Sequence, residues 1–206
     1  MQNKVVPTKN NLINTQKSLA LAKLGYDLMD RKRNILLREL MAAVDRAKDL
    51  RQAVELTFSE AYLALQNARI TLGSCAEAAA CVPLEEGLET DFRTLMGVEL
   101  PLVKLNSRRV SLHYPLSTSN AYLDEAYLQF EKAKVLACDL AQAQAIVYRL
   151  ADAIKKTQKR TNALENIIIP RFENDIKNIS DALEEKEREE FSRLKVIKRQ
   201  KEKSLD

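Results

Sequence analysis

From Asn11 to Leu72 the sequence has no proline and a single glycine, Gly25. Nothing in that span interrupts a helix, and a heptad register started at Leu12 runs through all of it. One set of positions reads Leu12, Leu19, Tyr26, Arg33, Leu40, Ala47, Val54, Ala61 and Ala68. The other reads Thr15, Ala22, Met29, Leu36, Ala43, Leu50, Thr57, Ala64 and Thr71. Apolar residues fill most of both sets. Lys17, Lys23, Asp27, Asp30, Lys32, Arg38, Asp45, Arg46, Lys48 and Glu55 flank them. An apolar residue every three or four positions with charges beside it is a coiled-coil seam. At 1.5 Å per residue this helix is on the order of 90 Å long. A chain of this length cannot wrap it in a compact domain, so it needs a partner helix of similar reach.

The start of the helix is marked by Pro7-Thr8, with Thr8, Asn10 or Asn11 as its cap. Its end is marked by Gly73-Ser74. The seam changes along its length, from large residues such as Leu and Met to mostly alanine between Ala61 and Ala80. Small seam residues bury less surface each, which predicts a thinner, less stable region there.

Composition agrees with long helices. Of 206 residues, 30% are charged, 5% are aromatic, four are glycine and none is tryptophan. The 33 basic and 29 acidic residues leave a net charge of +4, which favours local ion pairs over general polyanion binding. Cys75, Cys81 and Cys138 fit neither a disulfide framework nor a CxxC metal pattern and read as reduced, small apolar side chains. Met1-Gln-Asn-Lys-Val lacks the apolar core of a signal peptide. No run approaches the roughly 18 apolar residues of a membrane span. A cytosolic protein is expected.

Residues 75–117 differ in character. Pro83, Gly87, Gly97, Pro101 and Pro115 cluster there. Leu88 to Met96 and Val98 to Leu105 alternate loosely around Gly97 and predict a small β-hairpin. Pro101 must then sit on an edge or end the pairing. A second long helix follows, capped by Ser117 or Ser119, with Asp124 and Glu125 in its first turns. Its apolar residues recur at steps of three, four and seven from Leu123 to Ile197. Pro170 is the one interruption. It removes the bond to the Asn166 carbonyl and predicts a kink. Beyond it, Glu184–Arg188 and Glu189–Arg193 fall at i,i+4 with the acid first, the better orientation. The end, Arg193 to Lys203, is basic, which suits a helix C-terminus.

The expected fold is mainly α. It is a long antiparallel two-helix coiled coil of the N- and C-terminal helices, 1–74 and 118–206, with a loop and β-hairpin excursion at 75–117, in one elongated domain. Both termini would lie at one end, with the basic tip beside the N-terminus.

These residues also carry a resemblance. Val5-x-Pro7-Thr8-Lys9, Gly25-x-x-Leu28 with Lys32-Arg33, and Met96-Gly97-Val98 with Pro101 resemble the D subunits of the V/A-type rotary ATPases. So do Arg160-x-Asn162-Ala163-Leu164-Glu165, Pro170, and the run Leu183-Glu-Glu-Lys-Glu-Arg-Glu-Glu-Phe191-x-Arg-Leu-Lys195-x-x-Lys198. One departure is Lys159-Arg160-Thr161, where many members have two arginines and then valine. The resemblance covers nearly the whole chain and is weakest over residues 75–120.

The resemblance implies a non-catalytic central-stalk rotor. Its coiled coil inserts into a hexamer of catalytic A and non-catalytic B subunits. It binds the small F subunit and sits on the C subunit, called d in eukaryotes, which contacts the membrane ring. ATP hydrolysis in the hexamer would turn the axle and drive ion transport, and the ring would turn it in ATP synthesis. No cofactor, nucleic acid or direct membrane insertion is implied, and the location is cytoplasmic, peripheral to the membrane. The partner-interface candidates are Arg160, Asn162, Glu165, Pro170, Glu184, Glu185, Glu187, Arg188, Arg193, Lys195 and Lys198 on the second helix, and Met96 and Gly97 in the hairpin.

The other readings are weaker. His113 is the sole histidine and lacks a nucleophile motif beside it, so a loop position explains it better than a general base. A di-iron bundle needs repeated Glu-x-x-His pairs, and no P-loop pattern is present. The acidic run from Glu184 to Glu190 would by itself be a solvated face. A non-enzymatic scaffold, a nucleic-acid-binding helical arm or a membrane-curving helix remains as an alternative. The arm needs a basic stripe with stacking aromatics, and the charges here are mixed. The membrane scaffold needs a concave basic face.

Overall fold

The computed structural model describes residues 6–106, 113–115, 117 and 119–203. Residues 1–5 and the side chain of Lys203, both used above, lie outside the described residues. The order of elements is α1 (Lys9–Leu72), α2 (Ala76–Ala80), β1 (Leu88–Leu95), β2 (Val98–Leu105) and α3 (Ala121–Ala163). A π-helical turn (Leu164–Ile168) and α4 (Ile169–Lys203) complete it. The protein is mainly helical, with the two long helical stretches packed together and one small antiparallel hairpin, as the heptads predicted. Two compact units are defined, residues 1–33 with 156–206, and residues 34–155.

Helix α1 begins two residues before Asn11. Thr8 is its cap, its Oγ1 accepting from the Asn11 backbone N–H at 3.2 Å. At the other end Gly73 takes φ +77° and donates to the Arg69 carbonyl at 2.9 Å, the left-handed stop that glycine adopts without strain. Every seam position anticipated on α1 is buried or half-buried except Thr71 at its end. Thr15 and Thr57 sit in the seam because each hydroxyl donates to a carbonyl one turn back, Asn11 at 2.7 Å and Ala53 at 2.8 Å.

In the first unit α1 and α4 run antiparallel, tied by Lys9–Glu187 at 3.0 Å and Lys23–Glu173 at 2.9 Å. Both pairs are exposed, so each contributes about 0–1 kcal/mol. Among the described residues of this unit, the buried side chains are Thr157, Thr161 and Ile179.

The second unit holds both clusters of buried apolar side chains. Leu36, Leu100 and Leu150 form one, with Leu95 and Val98 of the hairpin packed against it. The other is Ala68, Tyr114 and Leu123, backed by Leu72, Cys75, Val82 and Tyr127. The alanines Ala61, Ala64 and Ala68 are buried, two of them fully, so the alanine stretch of the seam is covered although each side chain is small.

Helix α3 is capped by Asn120 rather than by Ser117 or Ser119. The Asn120 Oδ1 accepts from Leu123 N–H at 2.9 Å, and its Nδ2 donates to Thr71 Oγ1 at 2.6 Å. One residue thus starts α3 and fastens it to the end of α1. Short helix α2, which the alanine run disguised as seam, lies between them in the chain.

The hairpin has the expected strands, except that β1 stops at Leu95 and Met96 joins the turn. Met96 at φ 50° and Gly97 at φ 74° give the two left-handed residues of a tight two-residue connection. Leu95 pairs with Val98, and the register continues to Leu88 with Leu105. Antiparallel pairs alternate between hydrogen-bonded and non-bonded from the turn outward. Pro101, opposite Phe92, therefore falls on a non-bonded pair and its missing N–H breaks nothing. Val103 falls on the next such pair, and its outward N–H donates to Gln142 of α3 at 2.7 Å.

Candidate interaction surfaces

The interface candidates fall in three places. Arg160, Asn162, Glu165 and Pro170 surround the π turn. Glu184, Glu185, Glu187, Arg188, Arg193, Lys195 and Lys198 lie on α4, where every residue from Glu184 to Lys201 is exposed. Met96 and Gly97 form the hairpin turn in the second unit.

On α4 the expected ion pairs are made. Arg188 meets Glu184 at 3.7 Å and Arg193 meets Glu189 at 3.7 Å. Glu187 reaches Lys9 instead. From Arg193 to Lys201 the side chains include five cations and no acid. Phe191, Leu194 and Ile197 are 68%, 65% and 49% exposed on the same stretch. A basic helix with large apolar side chains in water presents a surface for a partner.

Around the π turn the structure departs from a simple kink. Pro170 cannot donate to a carbonyl in the preceding turn, and its ring crowds the carbonyl of Asn166. The chain widens to admit it. Ile169 N–H bonds to the carbonyl of Leu164, five residues back. Such a turn holds one residue more than an α turn.

That extra residue is visible in the burial. On α3 the inward positions are Ala126, Ala133, Leu140, Val147, Ile154 and Thr161, with Ala143, Leu150 and Thr157 in the second row. Continued at seven-residue steps past the turn, the first row gives Asp175 and Ala182, which are half-buried, and the second gives Arg171 and Asn178, which are exposed. The large apolar residues turned inward on α4 are Phe172, Ile176, Ile179 and Leu183, each one position later than those rows, with Ile179 buried. The π turn shifts the phase of the second helix by one residue and keeps an apolar face inward on both sides.

Just before the shift lies a polar layer that the heptad pattern did not single out. Arg33 occupies an α1 seam position. Its Nη1 donates to Gln158 Oε1 at 3.1 Å, and its Nη2 pairs with Asp30. Its Nε is buried with no acceptor. Gln158 donates to Asn162 Oδ1 at 2.6 Å. The buried Thr161 hydroxyl donates to the carbonyl of Thr157 at 3.1 Å. Tyr26, with Glu165 foremost among the neighbouring charges, has its hydroxyl pKa raised, burial and Asp30 adding to the effect. A charged residue in an otherwise apolar heptad was the available signal.

The second unit carries further polar anchors. The Tyr114 hydroxyl donates to Asp124 Oδ1 at 2.6 Å. Lys134 binds Glu85 and Glu131, each at 2.7 Å. Burial alone would lower the Lys134 pKa, but its hydrogen bonds to Glu131 and Glu85 outweigh that and raise it. Phe58, Tyr62 and Phe130 make a surface aromatic trio, with Tyr62 and Phe130 edge-on at 5.4 Å. Among the described residues no group of His, Cys, Asp or Glu could hold a metal, and no helix is long and apolar enough to cross a membrane.

Comparison with known proteins places these features in a family. Residues 11–199 match the sequence model described as the ATP synthase D subunit. The chain is 45% identical to the V-type ATP synthase D subunit of Thermotoga neapolitana, over 94% of this chain and 97% of that one. It is 38% identical to the A-type ATP synthase D subunit of Thermococcus kodakarensis, over 94% and 93%. It is 37% identical to that of Methanobrevibacter smithii, over 93% and 85%. With a heptad-paired helical chain matched from near its start to near its end, this protein belongs to the D-subunit family of the V- and A-type ATP synthases.

Proposed function

We propose that this ATP synthase subunit is the non-catalytic rotor of the complex and carries torque between the A/B catalytic hexamer and the membrane ring. The F subunit and the C subunit, the latter equivalent to d of eukaryotes, are its proposed stalk partners. The complex would hold it peripheral to the membrane on the cytoplasmic side. The observation that carries the reading is the exposed, basic and apolar end of α4 in a member of this family.

A torque-bearing element must resist twist. Two helices sharing a continuous seam resist it better than one, because turning either against the other unpacks side chains. It must also present different faces to similar partners. A ligand shifts a conformational equilibrium only by contacting its states differently. Two helices with unlike surfaces meet three equivalent A/B pairs with different side chains in each orientation.

In this reading Arg193, Lys195, Lys198, Arg199 and Lys201 face acidic groups of the hexamer, while Phe191, Leu194 and Ile197 rest on apolar ones. Solvated ion pairs worth about 0–1 kcal/mol each suit a contact that breaks and re-forms as the rotor turns. Glu184, Glu185, Glu187 and Arg188 continue that surface. Arg160, Asn162, Glu165 and Pro170 would contact subunits lower on the stalk, as would Met96 and Gly97.

The test is to reverse the five cations to glutamate and reconstitute the complex. ATP-driven ion transport should fall relative to ATP hydrolysis, or assembly should fail. Intact assembly with an unchanged transport-to-hydrolysis ratio would overturn the reading.

A further inference from the structure

The π turn at Leu164–Ile168 and the polar layer beside it can exchange places along the helix. We propose that the π turn steps about one heptad toward the N-terminus, so that Gln158 and Asn162 replace Thr157 and Thr161 in the seam, with Pro170 as the latch that holds the observed position. The first unit then has two phases, differing by one residue, or about 100° of helix rotation over one short segment.

The surroundings bound this motion on both sides. A step toward the C-terminus would turn Phe172 and Ile176 outward and bring Arg171 and Asp175 inward, exchanging apolar side chains for charged ones. More than one heptad toward the N-terminus would bring Lys155 into the seam in place of Ile154. Between these limits two of the exchanges, Thr157 for Gln158 and Thr161 for Asn162, are polar in both phases, and one replaces an apolar residue. Thr157 and Thr161 are buried now, while Gln158 and Asn162 already bond to one another beside them. Leu164 would give way to Glu165, which is already close enough to Tyr26 to act on its hydroxyl.

One observation shows that the present phase is not fully satisfied. The Arg33 Nε is buried without an acceptor, an arrangement that needs an explanation. Gln158 Oε1 already accepts from that guanidinium at 3.1 Å, and turning Asn162 inward brings a second side-chain oxygen toward it. The backbone also loses nothing by the step, since a travelling π turn exchanges each i→i+4 bond for an i→i+5 bond in sequence. What opposes it is Pro170. With the π turn moved away, residues 164–170 would become regular helix, and the proline ring would meet the Asn166 carbonyl. The second phase is therefore the minor one. If the rotor reading above holds, this segment is where the coupled helices yield to twist, but the two phases themselves do not depend on that reading.

Thr161 and Ile179 are 1% and 2% exposed, so a cysteine at either position is equally hidden in the observed phase. The experiment labels Thr161→Cys and Ile179→Cys variants of the full chain with a maleimide, each site read by peptide mass spectrometry. The thiol at position 161 should react about tenfold or more faster than the thiol at position 179, because only the former is uncovered by the step. Adding Pro170→Ala should speed labelling at position 161 further. Removing the extra residue, by deleting Ile167, should slow it to the rate at position 179. Thr157→Val, which holds an apolar side chain in the seam, should slow it where the deletion variant fails to fold. General opening of the coiled coil predicts the opposite pattern, with similar rates at both positions and slower labelling in Pro170→Ala, whose helix is more stable. Equal rates, or a Pro170→Ala variant that labels more slowly, would overturn the proposal. The measurement needs no other protein, so its outcome and that of the reconstitution above are independent.

Discussion

Arg33 on α1 donates through Nη1 to Gln158 Oε1 on α3 at 3.1 Å, from a heptad position otherwise held by apolar residues. The guanidinium lies in the seam with one nitrogen unpaired. Removing one partner of a buried ion pair is destabilising, by about 3–5 kcal/mol when both charges are fully buried. Arg33 and Asp30 are 26% and 31% exposed, which lowers that cost. Arg33→Leu, which takes a partner from both Asp30 and Gln158, should destabilise the chain by about 1 kcal/mol in urea unfolding. A gain in stability would mean that the unpaired Nε costs more than the layer contributes.

The two units differ in how they are held. Leu36 is fully buried among Leu100, Leu150 and the hairpin residues Leu95 and Val98. Leu36→Ala should cost about 3 kcal/mol by lost transfer energy and the remaining cavity. Ile179 in the first unit has no such cluster around it, and the helices there can close on the gap. Ile179→Ala should cost less, about 2 kcal/mol. Hydrogen exchange should likewise show the amides of α4 opening before those around Leu150. Uniform protection along α3 and α4 would contradict this ordering.

The seam of α1 was legible because it keeps one heptad phase from Leu12 to Ala68 and names its inward residues directly. The hairpin was legible from Gly97 and the alternation around it. Hidden from a single pass was the phase of the second helix. Its inward row turns polar at Thr157 and Thr161, so the change of register at Leu164–Ile168 leaves no missing leucine to notice. Pro170 drew attention to the right place and suggested a kink in the helix. What the sequence did not show is the wider turn that admits the proline ring. The Asn120 cap was masked by two nearby serines. What chose between them was the Thr71 hydroxyl, which only the folded chain brings within 2.6 Å.

Met96 carries a left-handed conformation, φ 50°, that costs a non-glycine residue about 1–2 kcal/mol. Asparagine tolerates it far better. Met96→Asn should raise stability by about 0.5–1 kcal/mol while leaving the strands paired. Met96 is also 49% exposed. If it is a partner contact, the same variant should bind the rest of the complex more weakly, as measured by competition against the wild-type chain. A more stable variant with unchanged competition would remove Met96 from the interface.

Tyr114 is nearly buried, and its hydroxyl donates to Asp124 Oδ1 at 2.6 Å. Burial raises its pKa well above the usual tyrosine value, and the hydrogen bond and negative charge of Asp124 raise it further. The folded chain thus holds this proton more tightly than the unfolded chain does. A group whose pKa rises on folding stabilises fully below its unfolded pKa, near 10 for tyrosine. That contribution is lost as pH climbs from there through the folded value. Tyr114→Phe should cost about 1.5 kcal/mol at pH 8, the scale of a hydrogen bond to a charged acceptor. The gap between the two proteins should stay constant up to about pH 10 and close above it. Tyr127, raised by burial and by Glu131, is present in both proteins and cancels in the comparison. Urea unfolding midpoints measured at intervals from pH 8 to pH 11 follow the gap directly. A gap that persists unchanged at the highest pH would show that the Tyr114 hydroxyl stabilises through packing rather than through its proton.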